Sequence, residues 1–161
     1  MIFASCGTVG FITAANCRKE ERNLSELLRI LDNMQCELEY RLTPLPQICC
    51  RIAEDATGCL KDVFAALSRE LEDQIAPDAA TCMKAAVASV RDIPISVKNA
   101  LLELGSSLGK YDLDGQISEI YAIKQRCSAL LEHIQTNQDV RLRSYKTLGL
   151  CIGAGLAILF L

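Results

Sequence analysis

Apolar side chains recur every three or four residues along most of this chain, which is the spacing of one face of an α-helix. The clearest stripe covers residues 23–42, where acidic and basic side chains occupy the opposite face. Its apolar positions are Leu24, Leu27, Leu28, Leu31, Met34, Leu38 and Leu42. No stretch alternates convincingly with a period of two. The pattern therefore predicts an all-α protein whose first amphipathic helix continues from the N-terminal segment.

Prolines and glycines divide the remaining pattern into shorter helices. Pro44 suits the first turn of a second helix with Thr43 as its cap, because no N–H is needed there. Gly58 is expected to end that helix. Asp78 and Ser96 are the predicted caps of the fourth and fifth helices. The apolar positions of these later helices fall within residues 45–56, 60–71, 82–90, 97–108 and 113–134.

A corner at residues 101–116, LLELGSSLGKYDLDGQ, separates the short helices from a long last one. Gly105 and Gly109 lie four residues apart on a leucine stripe, so we predict a close helix contact at Gly105 and a C-terminal cap at Gly109. Asp112 is the expected cap of the last helix, and Gln116 follows it. The apolar heptad positions of that helix are Leu113, Ile117, Ile120, Cys127, Leu131 and Ile134. The whole pattern predicts a bundle of about six antiparallel helices.

Charge is confined to the middle of the chain, since all 17 basic and 20 acidic side chains lie within residues 18–146. The uncharged ends would form helices of about 25 and 22 Å, which are short against a hydrocarbon core of roughly 30 Å. Flanking basic side chains can extend their reach to the interface. We therefore predict an N-terminal transmembrane helix (1–17), a helical bundle (18–146) and a C-terminal transmembrane helix (147–161).

Small residues and flanking charges add detail to these predicted membrane helices. Gly149 and Gly153 form a GxxxG pair, a spacing that lets two membrane helices pack closely and is compatible with a homo-oligomer. Basic residues follow the first span and precede the second. The positive-inside rule therefore predicts a cytoplasmic bundle.

Two alternatives concern an oxidising compartment. The sequence TAA at residues 13–15 resembles a signal-peptide cleavage site, although no Lys or Arg precedes the apolar run. The nine cysteines could also form a disulfide framework. Because they are odd in number, contain no CxxC pair and mostly occupy apolar helix positions, we interpret them as small core residues in a reducing compartment.

The chain carries no phosphate loop, GxSxG or HExxH motif, and no catalytic residue, metal or cofactor is predicted. Acidic pairs such as Glu37 and Glu39 point to different helix faces and are interpreted as solvated. His133 has no evident catalytic partner, so we place it on the surface or at an interface. Cys49 and Cys50 could form a redox pair, but a buried Cys49 beside an outer Cys50 is simpler. A net charge of −3 without a basic block argues against nucleic-acid binding.

Three stretches together resemble the stage III sporulation protein AB family of endospore-forming bacteria. They are LDNMQCELEYRLTPLP at residues 31–46, LLELGSSLGKYDLDGQ at 101–116, and YKTLG with its apolar tail at 145–161. Their order and separation extend the resemblance over nearly the whole chain. It implies a helical cytoplasmic domain similar to the platform F protein of type II secretion and type IV pilus machines.

The resemblance also implies a function. The chain would be a non-enzymatic platform subunit of the channel-like complex that joins mother cell and forespore. It would lie in the mother-cell side forespore membrane, with its domain in the cytoplasm. The implied partners are the secretion-type ATPase of the complex, stage III sporulation protein AA, other subunits of the complex, and membrane lipid; no cofactor is implied.

Two polar-edged turns beside exposed helix ends, at residues 40–46 and 104–116, form our hypothesis for the ATPase-docking surface. The candidate contact residues are Arg41, Thr43, Pro44, Pro46, Lys110, Asp112 and Gln116. The glycines assigned to packing are Gly105, Gly109, Gly149 and Gly153.

Three other interpretations stay open. A tail-anchored bundle like the apoptosis regulators is also helical, but the Asn-Trp-Gly-Arg motif of that family is absent from this Trp-free chain. A membrane-bound thiol enzyme would use Cys49 or His133. A secreted cysteine-rich domain would require removal of the first segment.

Overall fold

The first helix, α1, runs unbroken over Ile2–Cys36 in the computed structural model of this chain. The predicted leucine stripe is confirmed at its buried positions Leu24, Leu27, Leu31, Met34 and Leu38. Leu28 is half-buried, and Leu42 lies outside the described residues. Ile30, which the predicted stripe omits, is buried as well. The expected continuation of the amphipathic helix from the N-terminal segment is also confirmed.

The structure describes the backbone of most of the chain and the side chains of its central part. Backbone is described for residues 2–41, 43–73, 78–108 and 113–159. Side chains are described for residues 18–41, 43–73, 78–108 and 113–136.

Five more helices follow α1 among the described residues, in the order that the sequence predicts. A π-helical turn over Glu37–Arg41, here called the π turn, ends α1 just before the proline-rich linker. The other helices are α2 (Leu45–Asp55), α3 (Gly58–Glu72), α4 (Ala79–Ser89), α5 (Ile95–Ser107) and α6 (Leu113–Leu159). Within the described residues the fold is therefore all-α, without strands.

Prolines, and not the predicted hydroxyl caps, precede α2 and α5. Pro44 stands before α2 in an extended conformation, and the Thr43 side chain makes no capping bond there. Pro94 stands in the same place before α5, so the Ser96 cap is also wrong. In both helices the proline carbonyl accepts a bond from the N–H four residues later, from Ile48 at 3.1 Å in α2 and from Lys98 at 2.9 Å in α5. The two hydroxyls are left available for tertiary contacts.

The starts of α3 and α4 give one correction and one confirmation. α2 ends at Asp55, and Gly58 is the first residue of α3, with a φ of 63° that favours glycine. Gly58 therefore opens the third helix and does not end the second. Asp78 caps α4 as predicted, because it accepts a hydrogen bond from the Thr81 backbone N–H at 3.3 Å.

The last helix lies antiparallel to the first. Gln135 Nε2 donates to Glu21 Oε1 at 3.1 Å. Lys124 forms an ion pair with Asp32. The two pairs are separated by eleven residues on each helix, which fixes one register along both. α1 and α6 therefore lead out of the bundle at the same end.

The remaining helices run alternately along this pair. Cys59 near the start of α3 donates to Asn23 Oδ1 at 3.2 Å, and Ser96 near the start of α5 donates to Glu20 Oε1 at 2.5 Å. We call this end, with Arg18 and the α2–α3 and α4–α5 connections, the stem end. The opposite end holds the π turn and the start of α6, which contact each other, and is called the turn end.

The core lies between all six helices, with Phe64 and Met83 among its largest fully buried side chains. The heptad prediction for α6 holds only in part. Ile120 is buried as expected, and Ile123, outside the heptad, is buried too. Leu113 is 36% exposed, because it is the first residue of α6 at the open turn end.

In the part of the chain that the structure describes, no helix combines the length and apolar character needed to cross a membrane. The two predicted transmembrane segments fall outside the residues whose side chains are described. They stay predictions.

Candidate partner-docking site

Glu37 organises the connection between α1 and α2. Its Oε1 accepts hydrogen bonds from Arg41 Nη1 and Arg51 Nη1, each at 3.0 Å. Its Oε2 accepts from Thr43 Oγ1, also at 3.0 Å. Three donors from the π turn, the linker and α2 thus converge on one carboxylate.

The Glu37 side chain is only 18% exposed, whereas Arg41 is 63% exposed. An exposed ion pair between residues four apart contributes only about 0.3–0.5 kcal/mol. The main effect of the network is therefore orientation, since it fixes the guanidinium groups while leaving their outer faces in water. The interpretation of Glu37 as a solvated face residue is wrong, because its side chain is only 18% exposed and accepts three hydrogen bonds.

The predicted docking residues of the linker divide into outer and inner positions. Arg41 and Pro44 are exposed. Thr43 is half-buried and directed to Glu37, and the half-buried Pro46 accepts a hydrogen bond from Ser68 Oγ at 3.3 Å. The inner pair secures the linker, and the outer pair faces solvent.

The second predicted docking segment lies at the same end of the bundle. Gln116 is half-buried in the first turns of α6, and the π turn contacts this helix. Gly109, Lys110 and Asp112 fall outside the described residues. Gln116 and Arg41, which are far apart in the sequence, therefore lie at the same end of the bundle.

Tyr40 begins the predicted docking turn 40–46, but it is not among the candidate contact residues named from the sequence. Its side chain is 76% exposed, the largest value among the exposed large hydrophobic residues described. The exposure of Tyr40 could be predicted, because it falls two residues after Leu38 and so off the buried stripe. The ion pair of Glu37 with Arg41 could be predicted as well, because a Glu and an Arg four residues apart share one helix face.

Gly105 lies where α5 crosses α4. It is buried, and a Cβ added there would overlap the Met83 side chain and lie 2.8 Å from its Cγ. The Ala79 carbonyl oxygen would be 3.5 Å away. The other packing glycines, Gly109, Gly149 and Gly153, lie outside the residues whose side chains are described.

The chemistry available to a thiol enzyme is unfavourable at Cys49. Its side chain is buried, and burial, with a smaller effect of Cys50, raises the pKa of the Cys49 thiol to about 12. Cys50 is exposed, as the sequence predicted for the second residue of this pair. Among the described cysteines none forms a disulfide, and His133 is exposed on α6. The described residues also hold no cluster of three or more His, Cys, Asp or Glu side chains fit for a metal.

Comparison with known proteins gives the family. A solved structure described as stage III sporulation protein AB is similar, with a TM-score of 0.64, 22% sequence identity, and coverage of 73% of this chain and 94% of that chain. At this identity the likeness shows a shared fold. No curated protein matches the chain. The family model for stage III sporulation protein AB matches residues 1–161. The chain therefore belongs to the stage III sporulation protein AB family and has a role in sporulation.

Proposed function

We propose that this chain is a membrane-anchored, non-enzymatic platform of the stage III sporulation complex. Its turn end would dock the secretion-type ATPase of that complex, stage III sporulation protein AA. Other subunits of the complex would contact it beside the membrane, where the domain faces the mother-cell cytoplasm. Membership in a sporulation family that is not a known enzyme family supports this proposal.

The placement of the two ends of the bundle supports a platform. α1 and α6 both leave at the stem end, towards the uncharged segments 1–17 and 147–161. If these segments lie in the bilayer, the π turn faces away from it. From Arg18 to Arg41 the helical path covers roughly 35 Å at about 1.5 Å per residue. A surface at that height is accessible to a large cytoplasmic ATPase.

The chemistry of the turn end supports docking and is the observation that carries the proposal. Tyr40, Arg41 and Pro44 are exposed together, and Glu37 holds Arg41 in one orientation. Tyr and Arg dominate the energetic centres of many protein interfaces. A proline-braced, hydrogen-bonded turn also loses little conformational entropy on binding. π-helical turns are frequent at functional sites.

A thiol-enzyme function receives no support from Cys49. A reactive cysteine needs an accessible thiolate, and this thiol is buried with its pKa raised to about 12. Cys49, the buried residue of the Cys49–Cys50 pair, therefore offers no nucleophile.

Recruitment of the ATPase to membranes tests the proposal. Tyr40→Ala and Arg41→Glu, made separately in the full chain, should each reduce membrane-bound ATPase about ten-fold or more, since interface Tyr and Arg residues often contribute above 2 kcal/mol. Tyr40→Ala leaves all three bonds of Glu37 in place, so it separates docking from the local network. Lys84→Glu, at an exposed position of α4, is the matched control for charge reversal.

Full recruitment by both turn-end variants, with the helical content and melting temperature of the original chain, would contradict docking at this surface. Topology reporters at both termini and near residue 77 test the anchoring separately. External termini with a cytoplasmic reporter at residue 77 are expected, and an external bundle would overturn the ATPase partner.

A further inference from the structure

An open groove of about 1,200 Å³ runs along the stem end, outside the proposed docking surface. α1 forms one wall, α3 forms the other, and the α4–α5 connection closes one side. Its α1 wall extends from Arg18 to Glu26, which is about 12 Å at the helical rise of about 1.5 Å per residue. The groove therefore begins where the charged part of the chain begins.

Positive charge dominates the walls of this groove, although the whole chain is acidic with a net charge of −3. The five basic lining residues are Arg18, Lys19, Arg22, Arg69 and Arg91. Among the described residues, none of these five side chains forms an ion pair within 4.0 Å. Five basic side chains without an ion pair give the groove a local excess of positive charge, which favours an anion.

The acidic lining residues offset this charge only in part. Glu26 is already engaged, because its Oε1 accepts from Arg29 Nη2 at 2.9 Å and from the Thr57 backbone N–H at 3.0 Å. Asp62 and Asp92 are the two other acidic residues of the groove. The five basic side chains of the groove outnumber these two aspartates.

The apolar features of the stem end indicate the type of anion. Ala65, Ala66 and Val90 contribute an apolar part to the groove lining. Ile95, directly after the α4–α5 connection at the same end, is 69% exposed. A basic surface with an outward isoleucine is typical of a segment at a membrane–water interface, where apolar side chains enter the headgroup boundary and basic ones contact anionic lipid.

The dimensions agree with a headgroup. Arg18 and Arg22 lie one helical turn apart, about 6 Å along α1. The headgroup layer on each side of a bilayer is roughly 5–7 Å thick. If the uncharged segment 1–17 lies in the bilayer, this turn of α1 stands at headgroup height.

We infer that the stem-end groove binds the phosphate headgroup of an anionic phospholipid. This inference rests on the proposed membrane anchoring, and it adds a lipid-binding site to it. The basic side chains near Arg18 and Arg22 would hold the phosphate, and the exposed Ile95 would face the headgroup boundary. The anchored bundle would thereby be fixed in its orientation on the membrane.

Lipid retention by the full chain tests the inference. The purified chain is placed in nanodiscs of equal phosphatidylglycerol and phosphatidylethanolamine, extracted with mild detergent, and its retained lipid is identified by native mass spectrometry. Phosphatidylglycerol should be retained over phosphatidylethanolamine. In the triple variant Arg18→Gln, Arg22→Gln, Arg91→Gln this preference should fall about ten-fold.

The matched control removes three exposed lysines outside the groove lining, in the variant Lys61→Gln, Lys84→Gln, Lys98→Gln. It should keep the preference of the original chain. Equal losses in the two triple variants, or no preference in the original chain, would overturn the inference. Displacement of the lipid by millimolar inorganic phosphate would indicate a site for a small free anion and would also overturn it.

Two further readouts separate this inference from the proposed function. Carbonate extraction of membranes reports anchoring: extraction of the original chain would contradict anchoring and the lipid site together, whereas an anchored chain without lipid preference contradicts the groove alone. ATPase recruitment should be unchanged in the groove variant. If that variant keeps its lipid but loses the ATPase, the groove holds a protein segment and the lipid assignment is wrong.

Discussion

Gly105 on α5 and Met83 on α4 are packed so closely that no Cβ can be placed between them. An added Cβ at Gly105 would overlap the Met83 side chain and approach its Cγ to 2.8 Å. The contact allows the backbones of α4 and α5 to lie close together. Overpacking of such a site should move a helix or force an unfavourable rotamer.

Gly105→Ala should therefore lower the free energy of unfolding by about 1–3 kcal/mol, although alanine has the higher intrinsic helix propensity. Denaturant unfolding of the full chain in detergent, followed by circular dichroism, measures the change. In a Met83→Gly background the same substitution should cost less, because both the Cβ and the Cγ that the added atom would meet are absent. An equal cost in both backgrounds would locate the strain elsewhere.

At Gly58 the backbone conformation, and not steric overlap as at Gly105, should determine the cost of a substitution. An added Cβ meets no atom within 4 Å, but the residue has a φ of 63°. Gly58→Ala should destabilise the fold by about 1–2 kcal/mol, the cost of a left-handed conformation for an L-residue. Gly58→Asn should cost less, since Asn adopts this conformation more readily. Equal stability of all three proteins in thermal unfolding would contradict the strain.

Cys49 and Cys50 should differ sharply in reactivity despite being neighbours. At pH 8 a maleimide should label exposed Cys50 quickly and buried Cys49 only after unfolding, because the pKa of the Cys49 thiol is raised to about 12 by burial. The variants Cys49→Ala and Cys50→Ala, titrated in native and denatured states, resolve the two thiols. Fast native labelling of the Cys50→Ala variant at residue 49 would contradict the burial.

The raised pKa of Cys49 also predicts a pH dependence. The folded protein retains the thiol proton between the ordinary value of 9.0 and about 12, while the unfolded chain loses it. Unfolding therefore becomes more favourable as pH rises through this window. Cys49→Ala should flatten that decline in urea unfolding series above pH 9. An unchanged slope would assign the decline to other groups.

Glu26 should stabilise the fold in the opposite pH direction. The hydrogen bond from Arg29 lowers the pKa of the Glu26 carboxyl below its ordinary 4.5, and the Thr57 N–H adds to this effect while burial opposes it. The stabilisation is thus complete above pH 4.5 and is lost as pH falls through the lowered pKa. Glu26→Gln should be less stable than the original chain at pH 7 by about 0.5–1.5 kcal/mol. Thermal unfolding should show the difference disappear in acid, and a difference that persists there would contradict its ionic origin.

The helices and much of the core could be predicted from the sequence, because local patterns determine them. The stripe through Leu24, Leu31 and Met34 has helical spacing, and buried positions follow directly from it. Proline restricts the backbone of its neighbours, so the breaks near Pro44 and Pro94 were also predictable.

Tertiary use of polar side chains could not be predicted in the same way. Thr43 and Ser96 have the chemistry of caps, but their hydroxyls bond to Glu37 and Glu20 in other parts of the fold. The partner of Ser96 lies 76 residues away, and nothing in the local sequence identifies it. The basic groove likewise requires α1, α3 and the α4–α5 connection to be assembled first.

The antiparallel pairing of α1 with α6 has a consequence for biosynthesis. α6 is the principal packing partner of α1, and Asp32 meets Lys124 only after about 90 intervening residues have been made. At roughly 5–20 residues per second, the ribosome needs about 5–20 s to supply them. During that time the leucine face of α1 lacks its main cover. We expect nascent chains ending before α6 to bind chaperones and to be cleaved by proteases, and closure of the bundle to be a late event of synthesis.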